Sequence, residues 1–420
     1  MTNELDEKRY EILKNTRFNF YVNSANAAFY TVAMSFASII TLLPLFIQKL
    51  GGTNLQIGLV PAIAFLGYQI PGIFSANHIE NLPRKLSFVQ KLTLVERAPF
   101  LILTLLCLFV AKSNPTIAIY ITLLCLVLIT FTSGVISPAW LSYVIKVTPG
   151  SKLGTFFAMG SGIGGLMGIG ASIMASWFLA RYPFPMNFFY CFLWASIAVF
   201  VSYYFTLIGR EPAIKNEKIE KHSLLEYFKN LPKILKEDKN FFHYIFSRNF
   251  QCLGSMATTF FAVYAIKELR FGDQFAGIFL LFLLASQSIT FFLWGYIGDH
   301  YKHKYVLVIG SVGLLLSSVL ILMSKSRYSL FAIFICMGMY YSAYGSSGLA
   351  ILNRWAPDGK YPTYISLMNS LTALSAFSAP LIGGKIADIF GFSVLFWIAG
   401  IFSALGFIWI LFFTHEGECR

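Results

Sequence analysis

Charge is what this sequence is short of. Asp, Glu, Lys and Arg make up 12% of its 420 residues, about half the share of a water-soluble domain, whereas 57% are hydrophobic and the mean hydropathy is +0.67. That imbalance excludes an ordinary soluble globule and points to a bilayer. Acid is scarcer than base, 19 against 32, for a net charge of +13. The surplus is not read as a nucleic-acid surface, because Lys and Arg gather on cytoplasmic loops and orient multi-span proteins. Cysteine is sparse as well: six residues, none in a CxxC pair and five inside apolar runs, which argues against a disulfide framework or a zinc site. His300 and His303 have metal-ligand spacing but no second ligand pair, so no metal and no cofactor are expected. Walker, nucleophile-elbow and zinc motifs are all missing. The chain is therefore not read as an enzyme, and uphill movement of a solute would have to draw on an ion gradient. Residues before Phe18 are polar, so no cleavable signal peptide is expected.

What is present is a series of long apolar runs. A membrane-crossing helix needs roughly 20 such residues, and taking the charged residues as fences gives twelve spans, about 20–48, 54–76, 88–111, 115–145, 153–180, 185–209, 242–266, 274–298, 305–324, 328–352, 362–384 and 391–414. Runs this long and continuous suit helices, which satisfy their own backbone groups in lipid, and not barrel strands. The loops on the side of both termini hold 22 Lys and Arg against eight on the other, with Arg97 and Arg248 inside spans. Both termini are thus expected in the cytoplasm. The polar connection 210–241 carries an apolar stripe, Leu224, Phe228, Leu231 and Leu235, at helical spacing, interrupted by Pro232. It reads as a tether with a short amphipathic helix between 1–209 and 242–420.

Two polar islands repeat. The first runs from Ala76 through Glu80 to Arg84 and Lys85; the second runs from Gly295 through Asp299 to Lys302 and Lys304. Ala76 and Gly295, Glu80 and Asp299, and Gly58 and Gly277 are each separated by 219 residues, so the chain reads as two related halves. The expected fold is an all-α membrane protein of twelve transmembrane helices in two pseudo-symmetric six-helix bundles.

Two six-span halves, charged loops after spans 2 and 8 and a long central loop resemble the major facilitator superfamily. Its loose Gly-x-x-x-Asp-x-x-Gly-x-Arg/Lys-Arg/Lys signature is matched by Ala76, Glu80, Pro83 and Arg84-Lys85, and by Gly295, Asp299, Lys302 and Lys304. The resemblance implies that Ala76, Glu80, Arg84, Lys85, Gly295, Asp299 and Lys304 form cytoplasmic gates, the small residues letting helices approach and the carboxylates acting as latches. A third look-alike, Gly384 to Gly391 with Asp388, falls on the outer side and is given no gating role. Gly160-Ser161-Gly162-Ile163-Gly164-Gly165 matches GxGxxG, but inside an apolar span it signals close helix packing. By resemblance to antiporter branches it leans towards export.

Polar side chains inside spans are costly and mark interior surfaces. Asn23, Asn26 and Tyr30 share a face of span 1; Arg248, Asn249 and Gln251 lie in span 7, Gln287 in span 8, Tyr340 and Tyr344 in span 10 and Asn369 in span 11. The resemblance puts spans 1, 4, 7 and 10 around a central cavity and adds Trp140 and Tyr143. These residues are the candidate substrate contacts. Glu96, the one carboxylate deep in a span, is the candidate proton carrier, with an intraprotein salt bridge as the competing use. Its neighbour Arg97 points about 100° away on a helix, so a simple pair between them is not expected. The reading is a multi-pass, monomeric secondary transporter of the cytoplasmic membrane. It moves a small organic solute by alternating access, as export of an amphipathic compound coupled to protons or sodium. Uptake of an anionic nutrient held by Arg248 is the alternative within transport. A non-transporting receptor or assembly factor is the alternative outside it.

Overall fold

The computed structural model describes residues 2–80, 82–212, 238–323, 326–356 and 361–416. The expected tether helix at 224–235 lies outside them. Fourteen α-helices are described: α1 Thr2–Phe36, α2 Leu42–Lys49, α3 Asn54–Glu80, α4 Lys85–Phe109, α5 Pro115–Val147, α6 Gly150–Arg181, α7 Met186–Ile208, α8 Lys239–Gly254, α9 Thr258–Lys267, α10 Phe275–His300, α11 His303–Met323, α12 Arg327–Trp355, α13 Tyr361–Phe390 and α14 Phe392–Phe413.

Local chemistry sets several ends. Asn114 caps α5, its side chain accepting from Ile117 N, and Pro115 follows at the first helical position, where a missing N–H costs nothing. Asp238 caps α8 through Phe241 N and also accepts from the Tyr364 hydroxyl. Gly391 turns α13 into α14 at φ +83°, a conformation that favours glycine. That turn accounts for the last glycine of the third signature look-alike.

The chain divides into two compact units, Met1–Ile39 with Ile63–Lys221 and Ile40–Ala62 with His222–Arg420. Helix α3 therefore begins in one unit and ends in the other. Within the first unit α1 packs on α6 and α7, and α4 packs on α5 and α7; within the second, α8 packs on α13 and α14, and α11 on α12 and α14. The same four pairings recur in chain order, as a duplicated bundle requires.

The repeat extends to a defect. Expected spans 1 and 7 are both interrupted, α1 giving way to α2 after Phe36 and α8 to α9 through a 3-10 turn at Ser255–Ala257. The residues that open the two breaks, Ala37 and Ser255, are 218 apart. In the first, Pro44 supplies the reason. A continuous helix would need its absent N–H for the Ile40 carbonyl and would drive its ring into that turn, whereas in the first turn of α2 proline is tolerated. In the second, the end of α8 lies so close to α14 that a Cβ on Gly254 would meet Ser403 N at 2.9 Å.

Nine helices among the described residues are long and apolar enough to cross a membrane. The other three expected spans fall on α1–α2, α8–α9 and α12. Those segments carry most of the candidate substrate contacts, and their polarity suits a surface turned away from lipid. Large apolar side chains such as Leu166, Phe292 and Trp397 stand more than 60% exposed on the outside of their units, where a bilayer would cover them.

Candidate functional site

The first unit contains a half-open cavity of about 270 Å³. Asn26, Tyr30 and Thr31 of α1, Thr93, Glu96 and Arg97 of α4, Ser133, Ser137 and Trp140 of α5 and Thr206 of α7 line it. It is smaller than a typical drug-sized pocket and holds a small solute or several waters. Asn23 does not line it; its amide donates to the Tyr143 hydroxyl at 3.3 Å, buried below.

Here one expectation from the sequence is overturned. Glu96 and Arg97 do meet, Nη1 to Oε2 at 2.9 Å, with both side chains at most 6% exposed. The angular reasoning survives in part: neither Nη1 nor Nε of Arg97 is aligned for a hydrogen bond. Two long side chains curl together in a confined space, where a shared charge matters more than ideal geometry. Arg97 is further held by Ser202 Oγ at 3.3 Å and by the Tyr30 ring, 4.5 Å beneath its guanidinium. Ser133 donates to Glu96 Oε1 at 2.6 Å and lies 3.2 Å from the Tyr30 hydroxyl. Because the Ser133 proton is committed to the carboxylate, Tyr30 must donate to Ser133. The result is a directed chain from Tyr30 through Ser133 to Glu96. Asn26 braces the other flank, accepting from Ser202 at 2.6 Å and Thr206 at 3.2 Å.

The second unit has a different polar cluster, on α8, α11, α12 and α13. Arg248 donates to the Tyr340 hydroxyl at 3.3 Å and lies 4.2 Å over the Tyr344 ring. Tyr344 is fixed in turn by Ser311 at 3.0 Å, which also accepts from Gln251 at 2.6 Å. Asn249 accepts from Ser375 at 2.5 Å. Gln287 and Asn369 are partly buried on α10 and α13, and the Asn369 backbone carbonyl accepts from Thr372.

At the ends expected to face the cytoplasm, the side chains of Ala76 and Glu80 lie outside the described residues. Arg84 is exposed and Lys85 is buried at the start of α4. Asp299 is exposed and has no ion pair among the described residues. Around Gly295 a Cβ would meet nothing, whereas at Gly298 it would collide with His303, which is buried and bonded to Ser347. The close approach belongs to Gly298.

Two other carboxylates hold these ends, and sequence reasoning missed both. Glu211, just past α7, accepts from the Leu86 N–H at 2.7 Å and pairs with Lys146 at 2.8 Å. Glu416, just past α14, accepts from the Lys304 N–H at 2.7 Å and pairs with Arg354 at 2.8 Å. Each one follows the last helix of its half, caps the third span and pairs with the base in the last turn of the fourth, where the dipole is negative and a base belongs. They are 205 residues apart, not 219, so the fixed offset could not reveal them. Glu416→Ala removes a cap and an ion partner together. It is expected to destabilise the protein by about 1–3 kcal/mol, read as a lowered melting temperature in detergent, and Arg354→Ala by at least as much, because it leaves the Glu416 carboxylate buried without its counter-charge.

Asp388 is also engaged. Its two oxygens accept from Asn54 N and Leu55 N, each at 3.0 Å, which places a carboxylate on the N-terminus of α3. Gly384 lies one turn earlier, where a Cβ would meet Asn54 O at 2.5 Å, and a Cβ on Gly58 would collide with the Pro380 carbonyl. Both glycines are there because two backbones touch. Nearby, Lys49 pairs with Asp273 at 2.7 Å.

Comparison with known proteins agrees with this architecture. The Major Facilitator Superfamily model matches residues 245–418. A multi-drug resistance efflux pump PmrA homolog of Lactococcus lactis subsp. lactis (strain IL1403) is 26% identical over 124 residues, 30% of this chain and 30% of that one. An uncharacterized MFS-type transporter, YuxJ, of Bacillus subtilis (strain 168) is 26% identical over 145 residues, 34% of this chain and 36% of that one. The match thus spans about a third of these curated relatives. The crystal structure of a mutant of the nucleoside transporter NupG superposes with a TM-score of 0.74 at 13% identity, covering 94% of this chain and 99% of that chain. Repeated helix pairings and paired breaks in spans 1 and 7 accompany these likenesses, which show a shared fold over 94% of the chain and a match to the Major Facilitator Superfamily model over residues 245–418.

Proposed function

We propose that the protein is a secondary active transporter that exports a small amphipathic organic solute, driven by protons and working by alternating access. The observation that carries the coupling is the hydroxyl chain from Tyr30 through Ser133 to a buried Glu96 already paired with Arg97. A carboxylate held by one cation and one hydroxyl can exchange its ionic partner for a proton, and the cavity beside it admits water. Export is supported by the partial likeness to an efflux pump and by the glycines of α6. At Gly164 a Cβ would meet the Thr31 side chain at 2.9 Å, whereas at Gly162 and Gly170 it would meet nothing. The solute contacts are assigned to the aromatic and polar cluster of the second unit, with both termini in the cytoplasm.

The test is flux in proteoliposomes under an imposed pH gradient. Glu96→Gln is expected to abolish gradient-driven transport while leaving solute binding and downhill exchange in place. Driven transport at the wild-type rate in that variant would remove Glu96 from the mechanism.

A further inference from the structure

The two units each bury an arginine, and their surroundings differ in one respect. Arg97 has a carboxylate at 2.9 Å. Arg248 has none among the described residues: its neighbours are Tyr244, Cys252, Tyr340 and Tyr344. Its position is the middle of α8, nine residues past Lys239, or about 13 Å along the axis. The described acids of the second unit, Asp238, Glu268, Asp273, Asp299, Asp388 and Glu416, all sit at helix ends or loops.

A guanidinium has five N–H donors. One goes to Tyr340, a face rests on Tyr344, and the remaining donors have no acceptor among the described residues. Arg248 is only partly buried, unlike Arg97, two of whose nitrogens are buried without a hydrogen-bond partner. Arg248, Asn249, Tyr344 and Ser375 are all partly exposed, on one patch tied together by the Asn249–Ser375 bond. Such a patch in the bilayer-spanning part of the unit has to meet water, because lipid contact would leave a cation unsolvated. The cation is held from both sides by tyrosines whose rings touch, Tyr340 to Tyr341 at 5.4 Å and Tyr340 to Tyr344 at 5.0 Å. Tyr344 is itself locked through Ser311 and Gln251. This is a rigid fork of donors beside an aromatic wall, open on the side where a counter-ion would sit.

We propose that Arg248, Tyr340 and Tyr344 form a binding site for an aromatic organic anion, a carboxylate or sulfonate carried on a planar ring, and that this is the class of solute the protein handles. The anionic group takes the open N–H pair of Arg248, the bidentate geometry for which arginine is suited. The ring lies along Tyr340 and Tyr344. This assignment rests on the transport reading above but can fail separately from it.

The experiment uses the purified full-length chain in neutral detergent with three matched probes, naphthalene-2-sulfonate, naphthalene-2-sulfonamide and (2-naphthyl)methylammonium, read by thermal stabilisation. The sulfonate is expected to bind most tightly. Arg248→Gln should weaken it by about tenfold or more, the loss of one charge-assisted pair, and weaken the neutral sulfonamide by much less, since that probe loses a hydrogen bond but no ion pair; its residual binding also reports that the variant is folded. Arg248→Lys keeps the charge and loses the fork, so about threefold or greater weakening of the sulfonate alone is expected; should Arg248→Gln not purify, that variant decides. Equal affinity for the three probes, no binding of the sulfonate, or a sulfonate affinity indifferent to both substitutions overturns the proposal. Stabilisation by phosphatidylglycerol through Arg248 with none by the sulfonate overturns it too, in favour of a lipid headgroup. Counterflow in proteoliposomes separates the two levels. Arg248-dependent sulfonate binding without flux of any probe keeps the site and removes the transport reading. Flux of the amine or the sulfonamide without sulfonate binding keeps transport and removes the site.

Discussion

Replacing Arg97 by alanine is expected to cost about 3–5 kcal/mol of stability, because it leaves the Glu96 carboxylate buried with no counter-charge. Glu96 is only 4% exposed, and the few waters that fit the cavity it lines do not replace a counter-charge. One hydroxyl, Ser133, would remain on it, and a single hydrogen bond does not replace a full positive charge. The double variant Glu96→Gln with Arg97→Met is expected to recover most of the loss. Exchanging a buried ion pair for neutral groups of similar size is often neutral or stabilising, and the glutamine carbonyl can still accept from Ser133. Thermal or denaturant unfolding in detergent measures both. The double variant would be folded and, under the proposed coupling, unable to follow a pH gradient, which separates that proposed role of the pair from its structural one. Equal losses in the single and double variants would mean that removing the charge imbalance is not what rescues the fold, and the buried-pair account would fail.

How much of the molecule is legible in its sequence depends on whether the physics is local. The low charge, the apolar runs and the 219-residue offset between Ala76 and Gly295 already imply a duplicated helical membrane protein, because hydropathy and repetition are written residue by residue. Asn26, Tyr30, Trp140 and Glu96 stand out as polar or aromatic groups in apolar spans, and the structure brings these four to one cavity. Ser133 does not stand out. A serine in a helix usually bonds its own backbone, and nothing in the sequence says that this one reaches a carboxylate on α4. The contact between Glu96 and Arg97 defies expectation because a rule for side-chain directions on a helix surface does not govern a crowded interior. Glu211 and Glu416 escape for another reason. Their meaning lies in the helix N-termini they touch, 125 and 112 residues away in the chain, and only the folded unit brings those together. The break at 37–41 is readable from Pro44, whose absent N–H forbids a helix through Ile40; apolar composition alone hides it.

Tying Leu55 to Asp388 is expected to stop transport. With cysteines at both positions and a short bis-thiol reagent, flux should fall by more than about tenfold, and it should return when the same reagent is applied to either single-cysteine variant. The contact is tight for reasons of backbone, not of side chain. Gly384 and Gly58 let α3 and α13 touch, and Asp388 then seals the open N–H groups of α3. Contacts of that kind are either fully made or fully lost, since a helix N-terminus has no half-satisfied state that water does not also offer. Residues 40–62 belong to the unit that holds Asp388 and the rest of α3 to the other, so the seal lies at the start of a helix that both units share. Under the proposed alternation the seal at Asp388 opens and closes once per turnover, and a covalent bridge across it removes one of the two states. Asp388→Asn keeps the shape and one acceptor but loses the charge, so it should weaken the seal without abolishing it. An impermeant thiol reagent is expected to label a cysteine at Leu55 faster in that background. Full flux with the bridge in place would show that this end of α3 stays fixed on α13 throughout the cycle, and the third signature look-alike would be structural packing and not a gate.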